Sequence, residues 1–223
     1  MRWGAWDLNI FVIDTLKELE KYRPAWEAIL EQNHNDIPFL EFDWIRLWWE
    51  YLGGNRELFI LAAQEDKEIV GFFPFMLLRK GWLKIISFIG FPQAYYMDFV
   101  LMPQYRDESI DSAVSYLMGK GKNYLVDLDQ MHRASPNFMR IYEYVQEKGY
   151  PVYCCGTEDL YIDLTRFTDF DDYYYAVISS HIRKNIKRRE KKLKELGDFY
   201  FRPLDLQRLE DVFSIHRKEW RKR

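Results

Sequence analysis

Toward the end of the chain, apolar residues recur at helical spacing inside a basic stretch. Ile178, Ile182, Ile186, Leu193 and Leu196 are separated by steps of 4, 4, 7 and 3 and fall on one helical face. Arg183, Lys184, Lys187, Arg188, Lys191 and Lys192 take the remaining faces. The pattern predicts a packed helix over Ser179–Leu196 with a basic surface, followed by one strand and one helix.

Upstream, the periodicity alternates between two and 3.6. Leu8 to Ile13 reads as a strand, and Thr15-Leu-Lys-Glu18 is a capping box that opens a helix. Pro24 breaks or kinks that helix, and Trp26, Ile29 and Leu30 carry its second part. Asp43 is expected to cap another helix, with Trp44, Trp48 and Leu52 on one face and Gly53-Gly54 at its end.

Three strand-like runs follow, Leu58–Ala63, Ile69–Leu78 and Leu83–Ile89, with Asp66-Lys67 and Gly81 at the breaks. A short run, Asp98–Met102, precedes a helix from about Glu108 to Met118. Tyr124–Leu128 reads as a buried strand, Asn137–Glu147 as a helix, and Val152–Leu164 as extended chain. This order predicts a mixed α/β architecture on one central sheet.

Composition refines the picture. A hydrophobic share of 48% supports a real core, and an aromatic share of 18% favours an α/β interior over a simple bundle. The net charge of −3 is unevenly placed. Residues 1–180 hold 17 basic and 28 acidic side chains, or −11, whereas 181–223 hold 15 and 7, or +8. Such asymmetry suits a polyanionic partner, or attraction between the two halves.

Cys154 and Cys155 are the only cysteines and are adjacent, which argues against a disulfide and for a reducing, cytoplasmic setting. The N-terminus lacks the basic flank and apolar run of a signal peptide. The longest apolar run, Ile69–Leu78, contains Pro74 and is too short to span a bilayer.

Five segments then acquire meaning together: PFLEFDWIRLWWEYLG, ELFILAAQEDKEIVGFFPF, LKIISFIGFPQAYYMDFVL, YLVDLDQMHRASP and YYYAVISSHIRKNIKRREKKL. In this order they resemble the tandem-GNAT (Gcn5-related N-acetyltransferase) acyltransferases. The likeness is to the CelD-like group linked to cellulose and exopolysaccharide synthesis, and more distantly to the FemAB-like peptidoglycan-bridge enzymes. It runs from Asn9 to Trp220.

The resemblance implies an N-terminal GNAT-like domain over 1–160 without a CoA site, and the truncated start of a second over 161–223. It implies an acyl-CoA-dependent N- or O-acyltransferase in which an amine or hydroxyl attacks the thioester directly, with no covalent intermediate. Acetyl-CoA or another acyl-CoA would serve the full-length enzyme, and none is expected on this chain alone. The implied partners are a small-molecule or glycan acceptor, and either the remainder of the second domain or a second copy of the chain.

In such a domain the donor's pyrophosphate needs backbone N–H groups at a glycine-rich strand-to-helix turn. The corresponding residues here are PQYRDES, with no glycine and with Asp107 and Glu108 at the helix start. Acceptor-binding candidates are Trp49, Tyr95, Tyr96, Asp98 and His216. The last lies in HRKEWRKR, which resembles a His-x-x-Arg-Trp motif with Glu219 where Arg is usual. Plainer roles compete: Asp98 satisfying loop amides beside a tyrosine pair, and one of Trp48 and Trp49 in the core.

Asp127 and Asp129 point the same way on a strand, as an acid–base pair or a sheet-end cap. His34, His132, His181 and His216 have no metal-ligand spacing, and no P-loop or G-x-S-x-G elbow occurs. No catalytic residue is assigned and no metal is expected.

The basic surface, with Arg183, Lys184, Lys187 and Arg188 at its centre, is either the solvated face of a packing helix or a dock for an acidic protein or RNA. In the latter case the chain is a non-catalytic binding module. Nucleic acid is disfavoured because no aromatic residue interrupts the stretch between Tyr175 and Phe199.

Overall fold

Pro74 divides the longest apolar run of the chain between two sheets. The computed structural model describes residues 8–33, 37–156, 162–200, 203 and 208–221. The chain separates between Cys155 and Gly156 into two units.

In the first unit, the strands are β1 (Asn9–Ile13), β2 (Glu57–Leu58), β3 (Ile60–Glu65), β4 (Glu68–Phe73), β5 (Phe75–Lys80), β6 (Leu83–Phe88), β7 (Val100–Leu101) and β8 (Tyr124–Asp127). Its helices are α1 (Leu16–Leu19), α2 (Arg23–Asn33), α3 (Phe42–Leu52), α4 (Arg106–Met118) and α5 (Pro136–Glu147). The strands form two sheets rather than one, in the orders β1-β3-β4-β7 and β2-β5-β6-β8. All pairs are antiparallel except β6 with β8, which run parallel.

The Ile69–Leu78 run is therefore not one strand. Proline has no N–H to give a ladder; here Pro74 offers its carbonyl to the N–H of Ile89 at 2.8 Å, and the chain passes from β4 to β5. Four rings fill the junction. Phe99 lies 4.6 Å from Phe73, 5.8 Å from Phe75 and 5.7 Å from Phe88, each pair tilted or edge-on as ring quadrupoles prefer.

The helices cover the first sheet through aromatic contacts. Trp26 of α2 is fully buried, stacks on Phe72 of β4 at 4.8 Å and meets Phe42 of α3 edge-on at 5.9 Å. Its indole N–H donates to the Leu40 carbonyl at 2.8 Å, so the ring is buried with its polar atom satisfied. On the surface, Arg23 lies over the Phe42 ring at 4.1 Å and binds Asp43 at 2.8 Å, tying α2 to α3. The Asp43 carboxyl is held below its ordinary range by that bond. Between α4 and α5, Arg140 grips Asp111 with both arms of its guanidinium, one at 2.8 Å.

Several expectations are met. Thr15 caps α1 by accepting from the Glu18 N–H at 3.2 Å, and Asp66 takes a φ of 51° in the β3–β4 turn. Pro24 falls in the first turn of a new helix after a 3₁₀ turn at Glu20–Tyr22, where a missing N–H costs nothing.

Others are corrected. The residue preceding α3 is Glu41, so Asp43 lies inside the first turn, where it pairs with Arg23 and Arg46. The buried face of α3 is Phe42, Ile45 and Trp48, whereas Leu52 is half exposed. β8 is an edge strand with Leu125 49% exposed. The described residues of 152–164 form no strand.

The second unit holds α6 (Phe170–Val177), α7 (Ser180–Leu196) and α8 (Leu209–Trp220). Ser179 caps α7, its hydroxyl accepting from the Ile182 N–H. Ile178 is extended and ends α6, so it does not extend the apolar face of α7. Of the strand expected after α7, Asp198–Tyr200 and Pro203 are described and are not in a strand. Among the described residues of this unit, no side chain is buried.

Candidate functional site

Because β6 and β8 are parallel, their carboxyl ends open on the same side. In α/β sheets that side is where ligands gather. The loop after β6 (residues 89–99) and the loop after β8 (residues 128–135) meet there, joined by a bridge between Met97 and Met131. The residue before each bridge partner is left-handed, Tyr96 at φ 58° and Gln130 at φ 73°. A non-glycine residue in that region costs about 1–2 kcal/mol, so the surrounding contacts must hold both turns in place.

Asp98 supplies the main clamp. Its Oδ1 accepts from the Phe99 N–H at 2.8 Å and from Asn137 Nδ2 at 2.7 Å; its Oδ2 accepts from the Ser135 hydroxyl at 2.7 Å. Ser135 in turn caps α5, accepting from the Asn137 N–H at 3.1 Å. Burial pushes the Asp98 carboxyl above its ordinary value, opposed by these hydrogen bonds and by the charge of Arg106. Both carboxylate oxygens of Asp98 are thus engaged within the fold, where they hold the loop against α5.

The outward groups are Tyr95 (54% exposed), Tyr96 (45% exposed) and His132, whose ring centroid lies 6.4 Å from that of Tyr96. His132 Nδ1 accepts from the Ala134 N–H at 3.2 Å. In the neutral ring that bond leaves the proton on Nε2, a hydrogen-bond donor.

From beneath, α3 fixes the first loop. Trp48 Nε1 donates to Gln93 Oε1 at 3.2 Å. Gly90 takes φ 107°, and a Cβ there would stand 2.6 Å from the Trp44 ring and 2.7 Å from Ala94. Trp44 and Trp48 meet the loop, and Trp49, an expected acceptor contact, is half-buried against the core beside Gly53. His132 was missed as a site residue, although it lies in the YLVDLDQMHRASP segment. Only the register of the two loops brings it to Tyr96.

At the end of β8, Asp127 Oδ1 accepts from the Asp129 N–H at 3.2 Å and Asp129 Oδ1 from the Gln130 N–H at 2.9 Å. These carboxylates shape the turn, as a sheet-end cap does. Among the described residues no cluster of His, Cys, Asp or Glu could hold a metal, and His34 lies outside them. A broad open depression of about 590 Å³ between β1 and α4, bordered by Asn9, Asp111 and Tyr144, contains none of the candidates.

The resemblance noted in the sequence points to the turn from β7 into α4 as the place where an acyl-CoA pyrophosphate would meet such a unit. The Met102 N–H is spent on the Val70 carbonyl at 2.9 Å and the Tyr105 N–H on the Met102 carbonyl at 3.0 Å. Asp107 and Glu108 occupy the first turn of α4. Two carboxylates at a helix N-terminus occupy the position that favours an anion and repel a second one. The residues present do not fit the pyrophosphate.

In the second unit, the basic surface is not uniform. Arg183 turns back on α6, donating to the carbonyls of Ile178 and, at 3.2 Å, Tyr175, with the Tyr175 ring 5.3 Å away. It closes the C-terminus of α6 and is withdrawn from the exposed basic set, whereas Lys184, Lys187 and Arg188 are exposed. His216 Nε2 accepts from Trp220 Nε1 at 2.7 Å within α8.

No family model matches the sequence, and no curated protein matches it. Among solved structures, the chain is similar to a "possible acetyltransferase" from Clostridium difficile 630. That likeness has 10% identity and a TM-score of 0.40, and covers 70% of this chain and 99% of the other. The chain is also similar to an aminoglycoside acetyltransferase from an uncultured soil metagenomic sample, solved with sisomicin and with trehalose. Both matches have 14% identity and a TM-score of 0.39, covering 70% of this chain and 96% of the other.

Proposed function

We propose that this chain serves an acyl-CoA-dependent N- or O-acyltransferase of the GNAT superfamily. Its acceptor would be a small molecule or glycan of polysaccharide or cell-envelope biosynthesis. In this reading the N-terminal unit is a GNAT-like layer without a donor site, and residues 161–223 open a second GNAT-like domain. The donor, acyl-CoA, supplies its acyl group as a thioester. The residues of the first unit act on the acceptor side.

The observation that carries this reading is the contrast between two ends of one unit. The turn into α4 would set a phosphate against Asp107 and Glu108 in the first turn of the helix. The loops after β6 and β8 are clamped by Asp98 and present two tyrosine rings and an imidazole N–H donor. Flat rings beside fixed donors suit a ring-shaped acceptor carrying hydroxyls. Held rigidly, such a rim orients the nucleophile, and orientation is the main contribution a direct-transfer enzyme makes.

Amide hydrogen exchange on the full chain, with a panel of monosaccharides, oligosaccharides and amines, tests the acceptor role. The reading expects protection at residues 89–99 and 128–135, lost in Tyr95→Ala/Tyr96→Ala. Protection elsewhere, or none with any acceptor, overturns it.

A further inference from the structure

Helix α7 gathers its apolar residues on one narrow face, with Arg189 the one charged residue inside it. Its 17 residues carry eight Lys or Arg and two Glu, a net +6. Arg183 is spent on α6; the other seven cations have no carboxylate within ion-pair distance among the described residues. At 100° per residue, Ile182, Ile186, Leu193 and Leu196 fall within an arc of about 80°. Ile182 is 49%, Leu193 47% and Leu196 87% exposed.

The two properties together narrow the partner. Cations alone suit any polyanion, but a nucleic-acid surface has no use for an aliphatic stripe, and α7 has no ring for a base to stack on except His181. A solvated helix has no use for it either. A narrow apolar face, a strongly basic polar face and low overall hydropathy are the marks of a helix that lies in a membrane interface. Lysine and arginine stems flanking such a stripe let the aliphatic groups sink while the charges stay among headgroups; Arg189, the cation within the apolar arc, would reach them the same way. At 1.5 Å per residue the helix is about 25 Å long, and its charge forbids it from crossing.

We propose that α7 docks flat on an anionic lipid surface, with Ile182, Ile186, Leu193 and Leu196 inserted and its lysines and arginines at the headgroups. The proposal needs neither donor nor acceptor, and it competes with one part of the acyltransferase reading, because a folded second domain opening at residues 161–223 would cover this stripe. The test is co-sedimentation of the full chain with phosphatidylcholine vesicles, with and without phosphatidylserine, at low and raised salt.

The chain is expected to bind only the anionic vesicles, less as salt rises. Each cation near such a surface contributes about fivefold, so Lys184→Gln/Lys187→Gln/Arg188→Gln should bind about a hundredfold more weakly. Ile182→Gln/Leu193→Gln, which keeps every charge, should also lose most of the binding, with helicity by circular dichroism unchanged. Failure to bind anionic vesicles overturns the proposal. So does binding undiminished in Ile182→Gln/Leu193→Gln, which would leave a charge-only dock, or binding of polyuridine RNA in place of vesicles.

Discussion

The Ser135 hydroxyl donates a 2.7 Å hydrogen bond to Asp98 Oδ2, joining segments 37 residues apart. Ser135 thereby serves two structures at once, as N-cap of α5 and as the link from that helix to the loop leaving β6.

A double-mutant cycle on this pair should show strong coupling. Asp98→Ala leaves the Ser135 hydroxyl, the Asn137 amide and the Phe99 N–H without their acceptor in a buried setting, and should cost about 2–4 kcal/mol. Ser135→Ala also loses the cap, at about 1–2 kcal/mol. Urea unfolding of both singles and the double should give a coupling energy above about 1 kcal/mol. Additive losses would mean the two groups act separately.

Asp98 also makes a signed prediction about pH. Its folded pKa is raised above the ordinary 3.8 by burial. A raised carboxyl binds its proton more tightly in the folded state, so its contribution is fully present below the unfolded value and is lost as pH rises through the folded one. The stability of the wild type relative to Asp98→Asn should therefore fall as pH climbs above about 3.8. A difference that stays flat, or rises, between acid and neutral pH would contradict the burial effect.

Gly90→Ala should be among the most damaging small substitutions. The residue combines φ 107° with Trp44 and Ala94 in the space of the missing Cβ. Strain and overpacking together should cost about 2–4 kcal/mol in unfolding experiments. Gly81→Ala, also at positive φ but with open space around it, is the control and should cost about 1 kcal/mol.

Arg183 should be needed for α6. One nitrogen of its guanidinium, Nη1, donates to both the Tyr175 and the Ile178 carbonyls at the end of that helix, where a cation also suits the helix C-terminus. Arg183→Ala should speed amide exchange across residues 170–177, leaving α7 beyond its first turn unchanged, and Arg183→Lys, which keeps the charge and a multi-donor nitrogen, should lose less protection. Unaltered exchange in Arg183→Ala would return Arg183 to the exposed basic set.

The sequence is legible where one residue decides the local geometry. Thr15 with Glu18, the Asp66 turn and Gly54 after α3 are decided by backbone preferences that a few neighbours reveal. Signals that depend on a partner far along the chain were not legible. The Ile69–Leu78 run is apolar on both sides of Pro74, and nothing within it reveals that its halves pair in different sheets. Trp48 and Trp49 are equally apolar, and only the position of Gln93, 45 residues on, shows which one meets the rim. His132 joins the candidate site through Met97 and Met131, a pairing with no local trace. Arg183 looked like its basic neighbours because its helix-capping role is set by where α6 ends.

In the proposed function the N-terminal unit holds no acyl-CoA and works on the acceptor side. The most direct measurement is a titration of acetyl-CoA into the full chain, with amide exchange read at residues 103–109. The account predicts no protection at that turn at any donor concentration, because Asp107 and Glu108 stand where the pyrophosphate would go. Saturable protection of residues 103–109 by acetyl-CoA would contradict it.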